Sequence, residues 1–324
     1  MLTVYRRIDE HVRAVTLTAD QPIPPSPLWI DLLSPSETEE AKVEAFVGID
    51  VPTPEEMREI ETTSRLYREG AGLFMTASVM NRGDTPEPET RATTFILVNR
   101  TLITVRYADP TPFRMFSTRL LSLPELSENA ETVLVALLDT IIDRIADLLE
   151  GVDVAISELS KAIFAPLENP TKRPSDYHEE LSRIGQNAIR CTKIDESLVG
   201  FARLLLFLDV NLRASGNKQA RTRIKDLQRD IQSLSGYVER LSERFELLLD
   251  ATLGLINIQQ TNIIKLFSVV AVVFLPPTLI ASIYGMNFEI MPELSWPFGY
   301  PLALVMMVVS AIAPYVFIKR QGWL

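Results

Sequence analysis

The spacing of apolar positions changes period twice along the chain. Up to about Ala108, short β-rich runs dominate: Leu28 to Leu33, Gly72 to Asn81, and the pair within Thr93 to Tyr107, joined at Asn99-Arg100 in the manner of a hairpin. Ser34-Pro35-Ser36-Glu37 and Thr53-Pro54-Glu55-Glu56 each put Ser or Thr at an N-cap, Pro at N1 and Glu at N3, which predicts helix starts between those strands. After Pro124 the spacing becomes helical, with Val133, Leu137, Leu138, Ile141, Ile145, Leu148 and Leu149 recurring at three and four until a stop near Pro166. No proline occurs from Ser175 to Leu275, which suits stacked or coiled helices. After Ser215-Gly216-Asn217 one rod is expected from Lys218 to Leu275, reaching roughly 85 Å at 1.5 Å per residue. Its seam, Ile224, Leu227, Ile231, Leu234, Val238, Leu241, Phe245 and Leu248, asks for a partner helix and argues for association.

The second change is to unbroken hydrophobicity. Leu266 to Met286 and Phe298 to Ile318 carry no charge, and each is long enough to cross a hydrocarbon core of about 30 Å, which needs about 20 helical residues. Lys265 precedes the first run, Lys319 and Arg320 follow the second, and the loop from Asn287 to Pro297 holds Glu289 and Glu293 but no basic residue. The positive excess places both termini in the cytoplasm, and Tyr284, Trp296, Tyr300 and Trp323 fall near the span ends, where amphipathic rings favour the headgroup layer. The amino end lacks the apolar segment of a secretory signal, so the preceding part is expected to stay cytoplasmic. The resulting division is 1–124 as an α/β domain, 125–216 as a helical region, 217–265 as a stalk, 266–286 and 298–318 as spans around an external loop 287–297, and 319–324 as a basic tail. The fold class is α+β: a mixed sheet with flanking helices, a long stalk helix and a transmembrane hairpin in a cell (inner) membrane.

Charge and chemistry narrow the functions. The 324 residues have a net charge of -10, which argues against nucleic acid, because a phosphate backbone needs a basic face. One cysteine, Cys191, permits no intrachain disulfide and suits a reducing compartment. With only His11 and His178, no nucleophile elbow and no histidine near Cys191 in sequence, an enzyme is disfavoured. No phosphate loop of the G-x-x-x-x-G-K-[ST] type occurs, so ATP is not the expected drive, and no organic cofactor is expected. Asp226 and Asp230 lie one turn apart among Arg223, Lys225 and Arg229, a set that either makes surface ion pairs or holds a metal.

In the first span the only aliphatic hydroxyls, Ser268, Thr278 and Ser282, share one stripe with Ile264, Ala271 and Leu275. Such residues mediate helix packing, bond back to their own carbonyls, or line a pore. The pore reading gains from Asn287 at the outer end, whose amide oxygen can accept hydrogen bonds from an ion's hydration water. An unbroken helix would turn Asn287 about half a turn from Thr278, so a helix stop is predicted at Gly285 in the left-handed conformation. Pro276-Pro277 predicts a kink or freed carbonyls in mid-span. Two spans cannot enclose a wet path, so conduction requires a homo-oligomer with first spans inside and the apolar second span, Leu302 to Val309, facing lipid.

Tyr284-Gly285-Met286-Asn287-Phe288, Met291-Pro292-Glu293-Leu294 and the terminal Lys319-Arg320-Gln321-Gly322-Trp323-Leu324 resemble the CorA-type magnesium and cobalt transport channels. The resemblance spans the whole chain in layout and is most specific at Gly285-Met286-Asn287, the family's signature tripeptide. It implies a funnel-shaped homopentamer, a selectivity filter at that tripeptide, Mg²⁺ as principal ion with Co²⁺ and Ni²⁺ beside it, and closure when Mg²⁺ occupies cytoplasmic acidic sites between subunits, with Asp226 at one such position. Mg²⁺ sheds water reluctantly, so a neutral amide ring with Thr278 below suits outer-shell holding. Moving two charges inward is worth roughly 4.6 kcal/mol per 100 mV, so the membrane potential suffices as drive. Leu275, Phe267 or the ring from Ile264 is the expected constriction, since apolar rings gate by dewetting. A zinc transporter of the same architecture and a membrane-anchored coiled-coil scaffold or sensor are the competing readings.

Overall fold

The computed structural model describes every residue except 10, 19, 60, 86, 169–176, 214–216, 288–290 and 322–324, and describes no side chain at 62, 124, 166–168, 293 and 294. The chain divides into two compact units, Met1–Leu249 and Asp250–Leu324.

The first unit is built on a seven-stranded mixed sheet. Its strands are β1 (Leu2–Ile8), β2 (His11–Leu17), β3 (Trp29–Leu33), β4 (Leu66–Glu69), β5 (Gly72–Asn81), β6 (Glu89–Val98) and β7 (Thr101–Arg106), in the order β2-β1-β3-β7-β6-β5-β4. Only β3 and β7 pair in parallel; the other neighbours are antiparallel. The expected hairpin at Asn99-Arg100 is present, Val98 pairing with Thr101 around two residues at φ 47° and 66°, whose twist matches that of the flanking strands. The β1–β2 hairpin escaped the sequence pattern. Leu2, Thr3, Val4 and Tyr5 are all buried, because both faces of β1 are covered, and alternation disappears from a strand covered on both sides.

One face of the sheet packs Leu2, Val4, Ile30, Leu32, Phe74, Ile96 and Val105 against Val43 and Val47 of α1 (Glu37–Val47). The cap of α1 is a correction to the sequence reading. Ser36, not Ser34, is the N-cap, with Glu39 as its reciprocal partner. The Ser34 N–H donates to the Arg106 carbonyl at 2.8 Å, extending the strand ladder by a residue, so the helix starts two residues later. The second expected box does close, Thr53 and Glu56 bonding each other in both directions, but on a single 3₁₀ turn, Glu56–Arg58. A four-residue α2 (Thr62–Arg65) leads into β4.

The opposite face carries the aromatic core. Trp29 stacks on Tyr5 with centroids 4.3 Å apart and meets Phe116 of α3 (Thr111–Ser122) at 5.6 Å, while Phe95 lies near Phe113 and Phe201. Inside it sits an ion pair, the Arg106 guanidinium donating to both Asp31 carboxylate oxygens at 3.0 and 2.8 Å, with Thr104 donating to Asp31 at 2.7 Å. The helices α4 (Ala130–Glu168) and α5 (Tyr177–Leu212) follow, the Ser197 hydroxyl of α5 donating to the Ser78 carbonyl of β5 at 2.6 Å.

The long helix begins at the predicted residue: α6 is Lys218–Tyr284, and the boundary between the units falls within it. Its seam is already covered in a single chain. Ile224, Leu227, Ile231, Val238, Leu241, Phe245 and Leu248 are buried, and ion pairs from Arg223 to Asp139 and from Arg244 to Asp153 fasten the same stretch to α4. The expected partner helix is therefore intramolecular, and the seam is no argument for association. The second unit holds the rest of α6, a 3₁₀ turn (Pro292–Ser295) and α7 (Gly299–Arg320).

Candidate functional site

The second unit is apolar on its outside. The apolar windows of α6 and α7 are 0 % and 6 % buried, a surface that water does not tolerate and lipid or a neighbouring helix covers. On α6, Ile264, Phe267, Ser268, Ala271, Leu275, Thr278 and Ser282 are all exposed. The Thr278 hydroxyl donates to the Phe274 carbonyl at 2.7 Å. With its proton committed, that oxygen can only accept from a third party, which fits a water donating outward from a cation. Pro276 and Pro277 stand inside the helix and supply no N–H, so the carbonyls four residues earlier, at Val272 and Val273, have no helical donor.

The helix stops where the glycine predicted it. Tyr284 is its last residue, the Gly285 N–H reaching the Ala281 carbonyl at 2.9 Å and the Met286 N–H the Ile283 carbonyl at 3.3 Å. The means differs from the expectation. Among described glycines only Gly48 and Gly70 have positive φ, so Gly285 is not left-handed. A Cβ at Gly285 would instead meet the Ala281 carbonyl oxygen at 3.0 Å, so glycine lets the departing chain fold close over the last turn. Met286 and Asn287 are exposed beyond it, and no hydrogen bond engages the Asn287 amide among the described residues. Every described asparagine of the first unit, Asn81, Asn99, Asn129, Asn187, Asn211 and Asn217, is bonded through its side chain. Of the expected loop acids, Glu289 lies outside the described residues, and Glu293 falls in the 3₁₀ turn before α7.

The two acids expected on the cytoplasmic side, Asp226 and Asp230, lie in the first unit. Asp226 pairs with Arg229 at 3.2 Å and borders a cleft of about 340 Å³ with Asp139, Arg119 and Arg223. Asp230 is exposed. Among the described residues no three acids, histidines or cysteines come together to hold a metal, so one chain does not by itself assemble a site around Asp226. Nearby, burial and the charge of Asp139 raise the Asp143 carboxyl, while the hydrogen bond to Asp139 raises Arg223 against the effect of its burial.

A family model described as CorA-like Mg2+ transporter protein matches residues 26–320. The magnesium transport protein CorA of Escherichia coli (strain K12) is 33 % identical over 324 residues, covering all of both chains. That of Salmonella typhimurium is 34 % identical over 297 residues, 92 % of each. Among solved structures, the CorA magnesium transporter from Methanocaldococcus jannaschii aligns with TM-score 0.75 at 20 % identity over 100 % of this chain and 98 % of that one, and full-length CmaX with 0.65 at 15 % identity over 99 % and 97 %.

Proposed function

Because the chain belongs to the CorA-like Mg²⁺ transporter family, we propose that it is a channel carrying Mg²⁺ inward across the cell membrane. The observation that carries the reading is the unbonded Asn287 amide, set just past a glycine-enforced helix stop between two apolar helices. In this reading 266–286 and 298–318 are the spans and both termini are cytoplasmic. The cargo keeps its tightly held waters, as Mg²⁺ does, and presents their hydrogens outward. Gly285, Met286 and Asn287 from each subunit of a homo-oligomer, a pentamer by family resemblance, form an outer collar that accepts those hydrogens. Thr278, whose hydroxyl is spent on Phe274, repeats the contact deeper in the span. Neutral acceptors hold the ion loosely enough for release, where a charged ring would bind it more strongly.

Inward of these polar levels, Ile264, Phe267 and Leu275 supply the apolar constriction. Asp226, with Asp230, gives the cytoplasmic sensor, and because one chain gathers too few ligands, the regulatory Mg²⁺ bridges neighbouring subunits and favours the closed state by binding it better. The membrane potential drives entry. Membership in a family of transporters sets the enzyme reading aside.

The test is Mg²⁺ flux into proteoliposomes. Wild type conducts Mg²⁺, with Co²⁺ and Ni²⁺ as further permeants, and Asn287→Ala lowers initial flux at least tenfold at unchanged oligomer size. A tight reconstitution that passes no Mg²⁺, or passes only Zn²⁺, overturns the proposal.

A further inference from the structure

The outer collar leaves the inner end of the span without an assigned station for the ion. Immediately before the first apolar run lies a belt of uncharged polar residues, Asn257, Gln259, Gln260, Thr261 and Asn262, all exposed on α6. The helix phase sorts them. Counted from Ile264, the nearest member of the hydroxyl stripe, Asn257 is seven residues back and Gln260 four, which places them within about 20° and 40° of it at 100° per residue. Gln259 and Asn262 lie about 140° and 160° away on the same count. Two amides thus continue the stripe inward and two face elsewhere.

None of these four amides makes a side-chain hydrogen bond among the described residues. Elsewhere on the helices, Asn187 and Asn211 turn back to donate to the carbonyls of Arg183 and Phe207, each at 2.8 Å. At Asn257 the backbone carbonyl already takes the Thr261 hydroxyl at 2.8 Å, while the side-chain amide stays open. Asn287 is open in the same way, so unbonded amides stand at both ends of the apolar stripe, Asn257 and Gln260 at one and Asn287 at the other.

We propose that Asn257 and Gln260 form an inner carboxamide collar that holds the hydrated Mg²⁺ as it leaves the apolar constriction for the cytoplasm. The inference rests on the reading of the stripe as the pore face. A hydrated divalent ion leaving the level of Ile264 regains bulk water only farther in, and amide oxygens replace the missing second-shell acceptors meanwhile. Being neutral, they do so without the tight binding that would slow release. Thr278 and Asn287 meet the ion on the outer side of the constriction, and Asn257 and Gln260 meet it on the inner side.

The experiment compares initial Mg²⁺ flux into proteoliposomes for wild type, Asn257→Leu/Gln260→Leu and Gln259→Leu/Asn262→Leu, each first shown to elute at the wild-type oligomer size. All four positions are exposed, so leucine fits without repacking. The first pair lowers flux at least tenfold and Asn257→Gln restores part of it when Gln260 is kept, while the second pair stays within about twofold of wild type. Equal losses from both pairs would assign the whole belt to the headgroup layer, and no loss from the first pair would leave no inner collar; either overturns the inference. Wild-type conduction and the Asn287→Ala loss are read in the same preparation, so an intact outer collar with an unaffected inner pair separates failure of this inference from failure of the channel reading.

Discussion

At the scale of single residues, the decisive ones are polar groups whose partners settle their role. Asp31 and Arg106 have side chains only 5 % and 6 % exposed, and each satisfies the other. Phe113 covers the guanidinium face, 4.6 Å from its centre. Removing one partner of a buried pair strands the other charge, at a cost of about 3–5 kcal/mol. Arg106→Met is expected to destabilise the folded protein by that much, and the added change Asp31→Leu to recover most of it, read as a double-mutant cycle of unfolding free energies. Neither residue was marked as a pair in the sequence, because they lie 75 positions apart and only the parallel β3–β7 register joins them. Gly285 is the opposite case. Its place at a span end announced a helix stop, but whether the stop used positive φ or close carbonyl approach depended on the local path of the chain.

At the scale of elements, α6 shows what periodicity can and cannot carry. The three-and-four spacing from Ile224 to Leu248 identified a buried face correctly, yet it could not say whose helix covers it. Ion pairs to Asp139 and Asp153 answer that with α4 of the same chain. Leu241, 1 % exposed in that seam, should lose about 2–5 kcal/mol on truncation to alanine, through lost burial and a residual cavity. Thermal unfolding of the detergent-solubilised full chain reads the loss. A variant unfolding with wild type would mean that the seam is not packed as described. The capping boxes make the same point at shorter range: Ser, Thr and Glu spacing located both, but a continuing strand ladder at Ser34 moved one by two residues.

At the scale of the molecule, four acids of the first unit sit in hydrogen-bonded positions that tie its stability to pH. Burial raises the carboxyls of Glu39, Glu89, Asp109 and Asp209, but hydrogen bonds outweigh it and hold all four below their ordinary values. The donors are the terminal amine and Ser36 for Glu39, Arg91 and Asn81 for Glu89, Arg114 and Arg106 for Asp109, and Arg213 and Arg221 for Asp209. Groups depressed in this way stabilise the fold above the unfolded carboxyl pKa of about 4 and stop doing so as pH falls through their lower folded values. Asp143, raised by burial and Asp139, works in the opposite sense and is outnumbered. Denaturation midpoints of the first unit's signal are thus expected to be level from pH 7 to about 5 and to drop below about 4. A midpoint unchanged down to pH 3 would contradict the paired state of these carboxylates.

By itself the sequence determined what depends on local order along the chain: the strands Gly72–Asn81 and Thr101–Arg106, the hairpin between β6 and β7, the start of α6 at Lys218, two stretches able to span a bilayer, and the tripeptide at their junction. Period, capping chemistry and unbroken apolar length act within a turn or two, so they can be read without a partner. Tertiary structure decided the rest. It decided that β1, covered on both faces, is a strand, that the α6 seam is closed from within, that Asp31 meets Arg106, and that among the described residues Asn257 and Asn287 alike stay unbonded while the asparagines of the first unit do not. Each of those outcomes turns on which distant group arrives to cover or bond a side chain, and distance along the sequence does not record it.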